Sequence, residues 1–277
     1  SNTAVGDRAL QANTTASNNN AFGFQALYSN TTGAVQTAMG HAALNANTTG
    51  TENTAFGGAA LLDNTTGNYN VAVGRNALAN NTTASSNTAV GYQAAYSTTT
   101  AGNNVAFGDT ALRTNTTGGN AVAIGARALY SMTTANGNTA VGMSAAYYTT
   151  TGQYNTALGR SALQSNTTAS NNTAVGYQAG YANTTGEKNT SLGKGALYST
   201  TTVNGNTALG FLTGYTNATG AFNTYVGMQA GYTATGSNNT FTGVNSGYYI
   251  TSGAANTILG RYNGNQGGLD IRTSSNN

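Results

Sequence analysis

The carboxylates and the single histidine are the side chains in this sequence that could support acid–base or metal chemistry. They are few and scattered, at Asp7, His41, Glu52, Asp63, Asp109, Glu187 and Asp270. Acid–base catalysis and metal binding need such groups in pairs or clusters, and a hydroxyl nucleophile needs a neighbouring base. Because these residues form no periodic array, we predict a protein that is not an enzyme and holds neither a cofactor nor a metal ion.

Pairs of adjacent threonines are the most regular polar feature of the chain. The second threonine of each pair forms a candidate ladder surface, composed of Thr15, Thr32, Thr49, Thr66, Thr83, Thr100, Thr117, Thr134, Thr151, Thr168, Thr185 and Thr202. Stacked copies of a repeat would align the two threonines of each pair in two columns, where each residue could hydrogen-bond its copies above and below. We interpret these columns as structural corners, and an ice-binding face is the alternative.

A repeat of 17 residues positions these threonines. It is anchored by Gly6, Gly23, Gly40, Gly57, Gly74, Gly91, Gly108, Gly125, Gly142, Gly159, Gly176, Gly193, Gly210, Gly227, Gly243 and Gly260, which we call the anchor glycines. Every interval is 17 residues except the last but one, which is 16. This period is too short for helical repeats and suits one coil of a solenoid. We therefore predict an all-β fold, a β-solenoid or β-roll of sixteen 17-residue coils.

Within each coil, small and apolar residues recur at fixed distances from the anchor glycine. The preceding residue is apolar, as in Val5 and Phe22, and the residue before that is most often Ala. This alternation predicts a short strand, and we expect the apolar residue to point into the core. An Ala-Leu pair three and four residues after the glycine, such as Ala26 and Leu27, predicts a second strand.

Two further columns refine this prediction. Where the Leu is replaced by Ala or Gly, as at Gly231, the next residue is Tyr, which suggests that volume lost in one column is replaced in its neighbour. The residue before each threonine pair is often Asn, as in Asn13, Asn30 and Asn47, which suits a turn and an amide ladder.

Composition limits the classes of partner. Only 5% of the residues are charged and the basic residues are dispersed, so we expect no nucleic-acid binding. No apolar run approaches the roughly 20 residues of a membrane helix, so we expect no membrane insertion. The small and apolar columns offer more surface than one coil can enclose, which favours a parallel homotrimer with the Ala and apolar columns at a shared axis. A flat monomeric solenoid closed by its own two strands is the structural alternative.

Two segments resemble known repeats. The motif Asn-Thr-Ala-Val-Gly-Tyr-Gln-Ala occupies residues 87–94 and 172–179 and resembles the head repeats of YadA-like trimeric autotransporter adhesins, which are trimeric β-rolls. The Asn-Thr-Thr-Gly turns and the longer period are similar to the repeats of phage tail fibre proteins, and residues 260–277 are similar to the junction that leaves such repeats. The resemblance implies an extracellular segment on a virion tail fibre or a cell surface.

The expected function follows from the repeat and the resemblance together. We expect residues 1–260 to form a repetitive shaft, and residues 261–277 to form a transition to a module further downstream in a longer protein. Such a shaft would space or present a receptor-binding tip. Its partners would be other copies of itself and a host cell-surface glycan or receptor, with weak glycan contacts along outward Tyr and Asn ladders. The alternative function is that of a monomeric ice-binding solenoid that uses its stacked Thr ladder.

Overall fold

The computed structural model describes residues 1–266, 269–270 and 272–275 and shows an all-β parallel solenoid of about sixteen coils, with no helix among those residues. The chain divides into two compact units, Ser1–Gly137 and Asn138–Asn277. Unit 1 contains β1 to β8, at Thr3–Val5, Asn20–Phe22, Thr37–Met39, Thr54–Phe56, Val71–Val73, Thr88–Val90, Val105–Phe107 and Val122–Ile124. Unit 2 contains β9 to β16, at Thr139–Val141, Thr156–Leu158, Thr173–Val175, Thr190–Leu192, Thr207–Leu209, Thr224–Val226, Thr240–Thr242 and Thr257–Leu259. The predicted coil count and fold class are confirmed.

After the last coil, unit 2 ends in a two-stranded antiparallel ribbon. It consists of β17 (Asn265–Gln266) and β18 (Leu269–Asp270). The change from parallel stacking to an antiparallel pair therefore lies within residues 261–277. The expected division of the chain at residue 260 stays a prediction.

Within each unit, every strand pairs in parallel with the equivalent strand of the next coil. Ala21 is aligned with Ala38 and Ala38 with Ala55, a register of one full repeat. Each strand has three residues, and only its middle residue is buried in almost every coil. The anchor glycine follows directly, so the strand ends where the chain turns into the rest of the coil.

The residue before each anchor glycine lies outside, so the prediction that it forms a core column is wrong. Phe56 is 53% exposed and Phe107 is 55% exposed, whereas Ala55 and Ala106, one residue earlier in each strand, are fully buried. Side chains alternate across a strand, so one of the two faces must point inward. In most coils the interior is occupied by the Leu side chain of the following turn, so the inward face carries the small Ala.

The Ala-Leu segment after the glycine is a turn, so the predicted second strand is also wrong. Leu27, Leu44 and Leu61 have φ values of 52°, 52° and 50°, in the left-handed region. All three side chains are fully buried. The left-handed conformation costs about 1–2 kcal/mol per residue, while burial of a Leu side chain contributes about 1.5–3 kcal/mol. Burial thus outweighs the backbone cost and folds the chain back over the strand.

Both Ala columns belong to the core of a single chain. Ala21 and Ala38 in the strands, and Ala26 and Ala43 in the turns, have no exposed surface. They therefore cannot face an axis shared by several chains, and that placement of the Ala columns is wrong.

Large residues inside the strand replace missing Leu side chains near the end of unit 2. Tyr225 and Phe241 take the place of the buried Ala in β14 and β15 and are themselves fully buried. Their rings fill the space beside Gly231 and Gly247, which stand where other coils have Leu. The prediction that the following Tyr supplies this volume is wrong, because Tyr232 and Tyr248 remain only partly buried.

Buried amides join each coil to the next. Asn47 Nδ2 donates to Asn30 Oδ1 at 2.8 Å, and Asn64 Nδ2 donates to Asn47 Oδ1 at 2.7 Å, which confirms the predicted amide ladder from Asn30 to Asn81. A second column lies four residues before the anchor glycine. There Asn53 Nδ2 donates to the Gly67 carbonyl and Asn53 Oδ1 accepts from the Asn70 N–H. The amides therefore satisfy backbone groups that the narrow core hides from water.

Candidate functional site

The first threonine of each pair is a structural residue. Thr31 Oγ1 donates to the Thr48 carbonyl oxygen at 3.0 Å, and Thr48 Oγ1 donates to the Thr65 carbonyl oxygen at 3.0 Å. These side chains are partly buried. The expectation that threonines bond their copies in neighbouring coils is confirmed for this column, which we call the inner Thr column.

The second threonine of each pair faces solvent. All twelve members of the candidate ladder surface, from Thr15 to Thr202, are exposed. Their hydroxyls make no hydrogen bond to protein groups within the described residues. We call these twelve residues the outer Thr column. Parallel strands lie about 4.8 Å apart, so in each unit this column presents hydroxyls at a regular interval of that size.

An apolar stripe runs along the outer face of the strands in each unit, formed by the residues directly before and directly after the anchor glycines. Its large exposed members in unit 1 are Val5, Phe22, Phe24, Met39, Phe56, Tyr92, Phe107 and Ile124. Those in unit 2 are Met143, Tyr177, Leu192, Leu209, Phe211, Met228, Val244 and Leu259. The sequence interpretation missed this surface because it placed in the core the nine of these sixteen residues that precede an anchor glycine.

The charges on the stripe are confined to the positions after the anchor glycines. In unit 2, Lys194 Nζ lies 5.9 Å from the ring centre of Tyr177 and 5.6 Å from that of Phe211. The Arg160 guanidinium lies 5.9 Å from the Tyr177 ring centre. The positions before the glycines hold no charged residue in any coil. The stripe thus has an uncharged column beside a mixed column in which cations lie over aromatic rings.

A stack of tyrosine rings covers another side of unit 2. Successive ring centres lie 5.0, 4.9, 5.3 and 5.0 Å apart, with planes within 14° of parallel, in the order Tyr181, Tyr198, Tyr215, Tyr232 and Tyr248. Loss of water raises the pKa of the Tyr198 phenol, and the neighbouring phenols add to this shift. Both faces of each inner ring are covered by the adjacent rings. A ligand that stacks on a ring face can therefore reach only the end of this column.

A small cavity lies at the C-terminal end of the tyrosine stack. It has a volume of about 210 Å³ and is lined by Gln229, Asn245, Tyr248, Tyr249 and Asn263. Tyr249 stands across Tyr248, with ring centres 4.8 Å apart and planes at 76°. The Asn245 Oδ1 atom is buried and has no hydrogen-bond partner. The sequence interpretation did not single out this group, although the adjacent tyrosines 248 and 249 were a visible signal.

The single histidine and the first acid of the sequence lie on the surface. His41 is exposed and stacks on Phe24 with ring centres 5.4 Å apart. Asp7 and Arg8 form an exposed ion pair at 4.0 Å. Among the described residues, no three His, Cys, Asp or Glu side chains form a group that could hold a metal ion. Asp270 lies in β18.

No helix in the described part of the chain is long and apolar enough to cross a membrane.

Comparison with known proteins finds no relative. No protein-family model matches the chain, and no curated protein and no solved structure matches it. The resemblance to phage tail fibres and trimeric adhesins therefore stays a hypothesis that depends on the sequence motifs alone.

Proposed function

We propose that this chain is a shaft segment of an extracellular fibre, such as a phage tail fibre or a surface adhesin, which spaces or presents a receptor-binding tip. Copies of the chain associate in parallel as a homotrimer through the apolar stripe. The uncharged column before the anchor glycines faces the shared axis, and the mixed column after them lies toward the rim, where its cations reach water.

The observation that carries this proposal is the exposed area of the stripe. A fully exposed large side chain presents roughly 200 Å², so the eight large members in each unit, exposed by 37–86%, present on the order of 700 Å² per unit. The largest apolar patch of a typical monomer is about 300–600 Å², and a standard interface buries about 800 Å² per partner. A single chain thus leaves about one interface uncovered in each unit.

The chemistry of the coil also supports a mechanical role. Each coil bonds its neighbours through strand pairs, amide ladders and the inner Thr column, so force along the stack is distributed over many hydrogen bonds. The outer positions tolerate side chains of very different size, from Gly58 to Tyr92. A segment of this kind can change length by whole coils without loss of its internal bonding.

The test is the solution mass of the intact chain, measured by light scattering coupled to chromatography. We expect three times the chain mass of 27.8 kDa. Leu209→Glu places a charge on the proposed axis and should give a monomer whose circular dichroism is unchanged. Tyr154→Glu is the matched control, because Tyr154 is 63% exposed outside the stripe and Glu52 occupies the equivalent position naturally. A monomeric wild-type chain would contradict the proposal.

Ice binding is the second candidate, and the exposure of the outer Thr column favours it. The outer Thr column could contact ice through its regularly spaced hydroxyls. The inner Thr column could not, because its hydroxyls already donate hydrogen bonds to carbonyl oxygens. The test is thermal hysteresis of the isolated chain. Ice binding predicts activity in the wild type and its loss in Thr117→Tyr and Thr134→Tyr, whereas the same change at the inner residue Thr116 would alter stability first. Absence of hysteresis would exclude this function.

A further inference from the structure

We infer that the cavity at the C-terminal end of the tyrosine stack binds a neutral saccharide ring. The site comprises Gln229, Asn245, Tyr248, Tyr249 and Asn263. The inference deepens the proposed function, since a host-surface glycan is a partner suited to a fibre. It does not depend on the oligomeric state.

The aromatic part of the site supplies a stacking surface. Tyr248 is the last ring of the stack, and its predecessor Tyr232 covers only one of its faces, at 5.0 Å. Tyr249 is 50% exposed and stands at 76° to Tyr248, so the two rings form a corner. The C–H face of a sugar ring is apolar and packs against an aromatic ring, while the hydroxyls at its edge need polar partners.

The polar part of the site consists of amides. Gln229 and Asn245 come from equivalent positions in successive coils, two residues after the anchor glycines Gly227 and Gly243. Asn245 Oδ1 is buried and has no hydrogen-bond partner, so a rotation of this side chain toward a ligand breaks no bond of that oxygen. Amides offer both donors and acceptors, as a sugar hydroxyl requires.

The tail of the chain forms the remaining wall. The Tyr249 N–H donates to the Asn263 carbonyl oxygen at 2.8 Å, and the Gly247 N–H donates to the Tyr262 carbonyl oxygen at 2.7 Å. Asn263 Oδ1 accepts from the Asn265 N–H at 3.0 Å. The wall is therefore held to the last coil by backbone bonds, and the Asn263 amide is oriented before a ligand arrives.

The lining also indicates what the cavity would not bind. None of its five residues is charged at neutral pH, so an anionic sugar or a nucleotide phosphate would find no counter-charge. The volume of about 210 Å³ lies below the roughly 300–1,000 Å³ of sites for drug-sized ligands. A single neutral sugar ring, at the end of a glycan or within it, satisfies both the absence of charge and the small volume.

The experiment is saturation-transfer NMR on the whole chain with glucose, galactose, mannose, N-acetylglucosamine and sialic acid as probes. We expect at least one neutral sugar to bind and Tyr249→Ala to weaken that binding by about tenfold or more. Asn245→Ser should also weaken it, and Ser occupies the equivalent left-handed position at Ser144 and Ser161. Binding of none of the neutral sugars, or of sialic acid alone, would overturn the inference.

Tyr148→Ala is the matched control. Tyr148 is 50% exposed and stands at 76° to Tyr147, with ring centres 4.6 Å apart, the same local arrangement as that of the tyrosines at 248 and 249. This variant should bind sugar as the wild type does, and equal weakening in both variants would contradict the assigned site. Solution mass measured on the same samples separates this inference from the shaft proposal, because Tyr249→Ala should leave the mass unchanged.

Discussion

Tyr225 and Gly231 share one volume inside unit 2. A Cβ added to Gly231 would lie 2.7 Å from both Cδ1 and Cε1 of the Tyr225 ring. In most coils the large side chain is instead a Leu in the turn, and the strand residue is a small Ala. The core therefore accepts either arrangement but not two large residues at once.

This exchange predicts strong coupling between the two positions. Tyr225→Ala should lower the free energy of unfolding by about 3–5 kcal/mol because it leaves a cavity. Gly231→Leu alone should lower it by about 1–3 kcal/mol through overpacking. The double variant restores the common Ala-Leu combination, so it should be more stable than the sum of the two single effects by about 1–3 kcal/mol. Additive effects in a double-mutant cycle from urea denaturation would contradict the shared volume.

The anchor glycines should tolerate no side chain. Gly57 has a φ of 135°, and a Cβ there would lie 2.7 Å from the carbonyl carbon and oxygen of Gly74 in the next coil. Gly57→Ala combines backbone strain with a backbone clash and should lower the free energy of unfolding by about 2–4 kcal/mol.

The neighbouring glycine is the control for this change. A Cβ on Gly58 would meet no atom within 4 Å, and Ala126 occupies the equivalent position in another coil. Gly58→Ala should therefore shift stability by less than about 1 kcal/mol. The measurement is the thermal midpoint of unfolding, monitored by circular dichroism. Equal midpoints for Gly57→Ala and Gly58→Ala would contradict the view that the anchor glycines are required for close contact between coils.

The buried strand amides should be costly to remove. Asn53→Ala leaves the Asn70 N–H without its acceptor, while the Gly67 carbonyl loses one of two donors and keeps Asn64 Nδ2 at 3.1 Å. An unpaired buried group costs about 1–3 kcal/mol, so this variant should be less stable by about that amount. Asn20→Ala is the control, since Asn20 is exposed on the outer face of β2 and should change stability by less than about 0.5 kcal/mol. Hydrogen exchange at Asn70 measures the lost bond directly.

Alkaline pH should destabilise unit 2 through a buried phenol. Burial raises the pKa of Tyr225 far above its usual value of 10.0, and its buried hydroxyl has no hydrogen-bond partner among the described residues. Above pH 10 the unfolded chain releases the Tyr225 proton while the folded chain keeps it, so stability falls as pH rises. Tyr225→Phe removes that group and should reduce the loss between pH 9 and pH 11.

The measurement for this prediction is the thermal midpoint as a function of pH. At pH 7 the Phe variant should match the wild type to within about 1.5 kcal/mol, because Phe241 fills the equivalent position in the next coil. Parallel pH profiles for the two proteins would mean that Tyr225 does not contribute to the alkaline loss.

Several features could be predicted from particular residues. The spacing of the anchor glycines predicted the coil and its register, because equivalent residues must align when identical units stack. The recurrence of Asn30, Asn47 and Asn64 predicted an amide ladder, since an aligned amide can bond its own copy. The candidate saccharide site could not be predicted this way, because Asn263 reaches Tyr249 only after the tail folds back onto the last coil.

The sequence by itself determined the period, the number of coils, the parallel stacking and the columns that face one another. Only the tertiary structure decided which side of each strand is inside. A strand with alternating side chains can be built with either face inward, and the choice depends on the width of the closed coil. The buried Leu side chains of the left-handed turns occupy that interior, so the small Ala21 and Ala38 point inward while Phe22 and Met39 remain on the outer surface.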